Sequence, residues 1–159
     1  MKITIICIGS IKEKYLQDAL NEYVKRLSPS AQINITQIKE CKLPDKPSNA
    51  EILKTLERES VSIKSLISKN AYTISLCIEG KQLTSEEFAD IISSKTLEGK
   101  NEFVFIIGSS NGLSEQLKKS CDMLMSFSKM TFPHQLFRVM LAEQIYRAVS
   151  IINNTKYHK

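Results

Sequence analysis

The chain has 159 residues and a mass of 18.0 kDa, a size at which one domain with one core suffices. Apolar residues make up 42% and charged residues 25%, and with only 5 Gly and 4 Pro this near-average composition excludes long disorder and fibrous repeats. The net charge is +5, and no apolar run approaches the roughly 20 residues of a membrane-spanning helix.

Lys2 precedes a short β-branched run, Ile3 to Ile8, which is too short for a signal-peptide core and has no small-residue cleavage site behind it. It reads as a strand covered on both faces, in a cytoplasmic protein. From about Lys12 to Leu27, Tyr15, Leu16, Ala19, Leu20, Tyr23 and Leu27 recur at helical spacing, ending before Pro29. Gln32 to Lys39 alternates apolar and polar residues, as an edge strand does.

Leu43 to Pro47 is the one linker-like stretch. Ser48 with Glu51 then forms a capping-box pattern that opens a charged helix to about Ile67. Tyr72 to Ile78 reads as a buried strand closed by Glu79 and Gly80. Thr84 with Glu87 repeats the capping box, for a helix to about Leu97 with Gly99 at its end. Phe103 to Ile107 is the most hydrophobic strand and runs into Gly108-Ser109-Ser110-Asn111-Gly112. A short helix from Ser114 to Lys119, a strand from Asp122 to Phe127, an irregular segment closed by Pro133 and a long helix from about Gln135 to Ile152 complete the pattern.

Strands alternating with helices predict a single α/β domain over residues 1–159, with a mostly parallel sheet and helices on both faces. In such sheets ligands bind beyond the carboxyl ends of the strands, here after Leu76, after Ile107 and after Phe127. The last helix carries an apolar arc wider than one sheet face requires, so it is either sunk in the core or shared with a second subunit.

Charge is unevenly spread. Residues 128–159 hold Lys129, Arg138, Arg147, Lys156 and Lys159 against Glu143 alone, and both histidines, His134 and His158, fall there. Such an end suits a polyanion such as RNA, or is an ordinary solvated basic tail. Cys7, Cys41, Cys77 and Cys121 have no CxxC or Cys/His spacing, so free, inert thiols and no metal site are expected.

The Gly108 loop lacks the GxGxxG and GxxxxGK[ST] spacings of dinucleotide and P-loop sites. It is a tight turn, or a wall of backbone groups that lets a flat ligand come close. His134, after Pro133, is a capping or surface group or a catalyst. Glu143 and Arg147 have the spacing of an intrahelical ion pair. No GxSxG elbow supports a hydrolase. Composition and spacing by themselves stop at a soluble α/β domain with a basic C-terminal end.

The stretches Phe103-Val104-Phe105-Ile106-Ile107-Gly108-Ser109-Ser110-Asn111-Gly112 and Phe127-Ser128-Lys129-Met130-Thr131-Phe132-Pro133-His134-Gln135 carry further. With Arg138, Glu143 to Ala148 and the terminal Tyr157-His158-Lys159, they closely resemble the 23S rRNA (pseudouridine-N3)-methyltransferase H family, a branch of the knotted SPOUT methyltransferases. The similarity spans essentially the whole chain. One position departs from it: the second of the family's two adjacent glycines is Ser109 here, which would be strained if that position needed positive φ. A modest local adjustment, with activity retained, is expected.

The resemblance implies a C-terminal trefoil knot, a homodimer, S-adenosylmethionine as methyl donor without a metal, and the pseudouridine at position 1915 of 23S rRNA in assembled ribosomes as target. It places Leu76, Gly108, Phe127, Ser128, Lys129, Met130, Thr131 and Phe132 at the donor, and His134, Arg138, Tyr157 and His158 on the acceptor side. There Arg138 would bind a phosphate or carbonyl oxygen, and the tail would cross to the partner's donor site. The alternatives kept open are a non-catalytic RNA- or ribosome-binding module of the same fold, and a methyltransferase acting on another RNA base.

Overall fold

The computed structural model describes residues 1–157. Five strands, β1 (Lys2–Ile8), β2 (Gln32–Ile38), β3 (Tyr72–Gln82), β4 (Glu102–Ile107) and β5 (Met123–Ser126), form one sheet in the order β2-β1-β4-β3-β5. All four pairings are parallel. The helices are α1 (Lys14–Leu27), α2 (Asn49–Lys64), α3 (Ser85–Leu97), α4 (Glu115–Ser120) and α5 (His134–Ile152).

Two apolar layers sandwich the sheet. On one face Leu27 of α1, Phe88 and Ile92 of α3, and Leu141 and Ile145 of α5 pack on Ile3, Ile5, Phe103 and Phe105. On the other, Ile63 of α2 and Leu117 of α4 pack on Ile6, Ile8, Val104 and Ile106. A strand covered on both faces needs apolar residues at every position, and Phe103 to Ile106 at 0% exposure meet that need. β2 lies at the sheet edge and alternates exposed and half-buried residues, in keeping with its alternating sequence.

Both capping boxes form. Ser48 Oγ accepts from the Glu51 N–H while Glu51 Oε2 accepts from the Ser48 N–H, and Thr84 and Glu87 repeat this at α3. Such boxes satisfy first-turn donors that the helix itself leaves unpaired. α2 ends at Lys64 rather than near Ile67, because the chain tightens there: the N–H of Leu66 bonds Ile63 and that of Ile67 bonds Lys64.

Both ends of β5 and the far end of β3 differ from expectation for local reasons. β5 starts at Met123 because the Asp122 carboxylate is spent on β3, accepting from the Thr73 N–H at 2.7 Å and its hydroxyl at 2.6 Å. It stops at Ser126, whose hydroxyl donates to the Ser128 carbonyl at 2.9 Å and turns the chain. β3 runs four residues past Ile78 to Gln82. Leu76 and Lys81 both align with Met125, so residues 77–80 leave the ladder and return to it. Gly80 makes the return possible, since a Cβ there would lie 2.5 Å from the backbone carbon of Met125.

α5 packs against α1 and α3 on the same face. Leu141, Ala142, Ile145, Ala148 and Val149 are buried, which accounts for much of its wide apolar arc. Val139 and Met140 stay half-buried and line a cavity of about 470 Å³.

Candidate active site

The carboxyl ends of β3, β4 and β5 surround a cavity of about 780 Å³. Its volume lies within the range of sites for nucleotide-sized ligands. The loop after β4 forms one wall. There the Gly112 N–H bonds the Ser109 carbonyl at 2.9 Å, closing a tight turn, and Gly112 sits at φ +83°. Gly108 meets a different demand. Its φ is not in the left-handed region, but a Cβ would fall 2.3 Å from the Gly112 carbonyl oxygen. The wall is therefore backbone, as a flat ligand at close range requires.

The excursion of β3 supplies Cys77, Ile78 and Glu79 to the cavity. Glu79 pairs with Lys118 of α4, which also pairs with Glu115. The Lys118 ammonium holds the Glu79 carboxyl below its usual range. This charged pair escaped the sequence reading, because nothing in the strand pattern shows that residues 77–80 bulge outward. The only signal was Gly80 closing an otherwise apolar run.

The segment after β5 forms the third wall. Ser128 Oγ accepts from the Met130 N–H at 3.0 Å, folding the segment on itself. Phe127 stands 4.7 Å from the ring of Phe137, and Phe132 stacks on the same ring at 6.4 Å. Leu76, Gly108, Phe127, Ser128, Met130, Thr131 and Phe132 all line the cavity, whereas Lys129 does not.

The four acceptor-side candidates are dispersed. His134, the first residue of α5, lines the cavity with Phe137. Arg138 is fully buried. Its Nη2 donates to the carbonyls of Ile8 at 2.7 Å and Gly9 at 3.2 Å, so within the protomer it grips the end of β1, while its Nε and Nη1 are buried without a partner. Arginine in an apolar helix arc looks like a polar interruption in sequence, and no local pattern shows where its head goes.

Tyr157 packs beside α5. Its ring lies 4.6 Å from Tyr146 and beneath the Arg147 guanidinium, and its hydroxyl donates to Glu143 at 3.2 Å. Glu143 also accepts from Arg147 at 2.6 Å, so the i,i+4 pair forms as its spacing predicts. Glu143 lies nine residues along α5 from His134, roughly 13 Å at 1.5 Å per residue. Tyr157 and His134 are thus apart within one protomer. His158 lies outside the described residues.

Ser109 is not strained. Among the described residues Asn154 is the one non-glycine at positive φ. The serine is 9% exposed and its hydroxyl donates to Glu59 Oε2 at 3.1 Å. Gln135 adds a further tie: its Oε1 accepts from the Lys12 N–H at 2.7 Å, joining the start of α5 to the turn before α1.

Comparison with known proteins places this geometry. Residues 1–158 match the family model described as "Predicted SPOUT methyltransferase". The chain is 52% identical over 158 residues to a ribosomal RNA large subunit methyltransferase H of Natranaerobius thermophilus, covering 99% of each chain. It is 48% identical over 159 residues to the protein of that name in Streptococcus uberis, covering all of both. Among solved structures, a probable methylase family protein of Haemophilus influenzae superposes with a TM-score of 0.55 at 12% identity, over 99% of this chain and 70% of that one, a likeness of fold. A parallel sheet whose strand ends enclose a backbone-walled cavity, matched along nearly its whole length, makes this chain a member of the SPOUT methyltransferase family.

Proposed function

We propose that the chain transfers the methyl group of S-adenosylmethionine to N3 of the pseudouridine at position 1915 of 23S rRNA, in assembled ribosomes and as a homodimer. The observation that carries this reading is the identity of 48–52% to enzymes named for large-subunit rRNA methylation, sustained from end to end. The cavity fits the donor: it is large enough for a nucleoside with an amino-acid arm, it has a backbone wall at Gly108, and aromatic rings stand at Phe127 and Phe132. The family's C-terminal trefoil knot is the expected path of the chain that brings these walls together.

When bound, the donor supplies an electrophilic methyl on a sulfonium centre. The residues of this chain do the placing. Backbone groups of residues 108–112, with Phe127 and Phe132, would hold the donor's adenine by polar and apolar contact. The N3 proton of pseudouridine must leave before or during attack, and His134, which lines the cavity, would take it directly or through water. Arg138 holds the β1 rim in register from behind.

Tyr157 belongs to the same site only if it comes from a second copy, because within one protomer it rests on Glu143. The half-buried Val139 and Met140 beside a second cavity offer the surface for that copy. The deciding experiment is methylation in vitro of ribosomes that lack the modification, read by nucleoside mass spectrometry with free rRNA as control. N3-methylpseudouridine on ribosomes and little on free rRNA is the expected result. A methyl group on another base, or none with donor demonstrably bound, would overturn the reading.

A further inference from the structure

Two consecutive side chains of α2 reach the two ends of the loop that walls the cavity. Glu59 and Ser60 are buried, at 3% and 5% exposure. Glu59 Oε2 accepts from the Ser109 hydroxyl at 3.1 Å, and its Oε1 accepts from the Cys41 N–H at 3.3 Å. Ser60 donates its only hydroxyl proton to the Leu56 carbonyl at 2.7 Å, so the 2.6 Å bond between Ser60 and Ser114 is donated by Ser114. Ser114 Oγ in turn accepts from the Leu117 N–H at the start of α4. A longer bond, 3.4 Å, joins Ser110 to Glu40.

A carboxyl buried against an apolar layer destabilises the fold unless its lone pairs are used. No Lys or Arg pairs with Glu59 among the described residues. Burial pushes its carboxyl up, opposed by its bonds from Cys41 and Ser109, and the neighbouring Glu40 charge adds to the rise. Both oxygens are nevertheless used, and one of the two partners is the cavity loop. Ser109 also forms the base of the turn closed by Gly112, so its tether fixes the backbone groups that face the cavity.

We propose that Glu59 and Ser60 are positioning residues for the methyl donor, setting the span and tilt of loop 108–114 through Ser109 and Ser114. This rests on the reading of the cavity as the donor site. Donor affinity would then depend on a helix that touches no ligand.

The test compares wild type with Ser109→Ala, Glu59→Gln and the double variant. Calorimetric titration with S-adenosylmethionine gives Kd, ribosome methylation gives donor KM and kcat, and thermal unfolding without donor gives stability. Glutamine keeps the shape of Glu59 but has one carbonyl oxygen for two donors. Each single variant should weaken donor binding about tenfold, the scale of one hydrogen bond to a charged group. For Glu59→Gln the loss should fall on donor KM, with kcat at saturating donor within about threefold. The double variant should bind no worse than the weaker single one, because both changes remove the same bond.

Unchanged donor Kd in a folded Ser109→Ala, or a lowered Tm with Kd intact, overturns the proposal, as does full additivity. Should Glu59→Gln fail to fold, Ser109→Ala alone decides. A wild-type protein that takes up no donor overturns the donor reading and this inference together, whereas donor bound equally by wild type and variants overturns only the inference.

Discussion

A first side-chain carbon on Gly108 would sit 2.3 Å from the carbonyl oxygen of Gly112. No rotamer relieves that contact, since the backbone alone fixes where both atoms lie. Gly108→Ala should therefore force the loop outward, at a cost of about 1–3 kcal/mol in stability. Donor binding should suffer more than the fold, falling below detection in a calorimeter while the variant still unfolds cooperatively in urea. Gly80→Ala makes the matching case on β3, where the clash with Met125 should loosen β5 as well as the cavity.

Arg138 faces inward, which separates two roles that a basic residue in an RNA enzyme could have. Arg138→Ala leaves the Ile8 and Gly9 carbonyls without their charged donor and opens space in the core. A loss of about 3 kcal/mol is expected by chemical denaturation. The salt dependence of ribosome binding should keep its slope, whereas removal of a phosphate contact would lower the slope by about one.

Tyr157 is held neutral. Burial, its bond with Tyr23 and the Glu143 charge push its phenol up from the ordinary 10.0 to about 12. Because the folded value lies above the unfolded one, its share of stability is intact below pH 10 and is lost as pH climbs towards 12. Single-turnover methylation should accordingly show no break from this residue up to pH 10. Tyr157→Phe should change the amplitude or rate of the profile and leave its alkaline limb where it was.

Two of the thiols should be slow to react. Burial pushes Cys7 up to about 11, against the opposing pull of Arg138, and burial likewise raises Cys121 to about 11. At pH 8 roughly one molecule in a thousand carries each thiolate. Native alkylation with iodoacetamide followed by mass spectrometry should leave both unmodified over hours, with labelling appearing only on unfolding.

The sequence was most readable where a structural need is met by neighbours in the chain. The unbroken apolar run of β4, the alternation of β2, and the Ser48/Glu51 and Thr84/Glu87 boxes each declare their element within a few residues. The cavity's position after Leu76, Ile107 and Phe127 followed from the parallel arrangement alone. What stayed hidden depends on partners far along the chain. Ser109 looked like a possible strain because it stands where the resemblance has a glycine, and neither its ordinary φ nor its bond to Glu59, fifty residues earlier on another helix, shows in the local sequence. That Arg138 reaches the carbonyls of Ile8 and Gly9 could not be read from its own neighbours, because those partners lie some 130 residues earlier. The bulge at 77–80 is set by where β5 lies, which no window of β3 can reveal.

The place of β4 in the sheet bears on how the site endures. It is flanked by β1 and β3, with its inner residues sealed, while β2 lies at the sheet edge. Local opening starts where backbone bonds meet solvent and reaches the best-covered ladder last. Amide hydrogens of β4 should thus exchange only through global unfolding, and those of β2 much sooner. The loop that walls the cavity springs from this best-covered strand, so it should keep its shape through breathing motions that unzip the sheet's far margin.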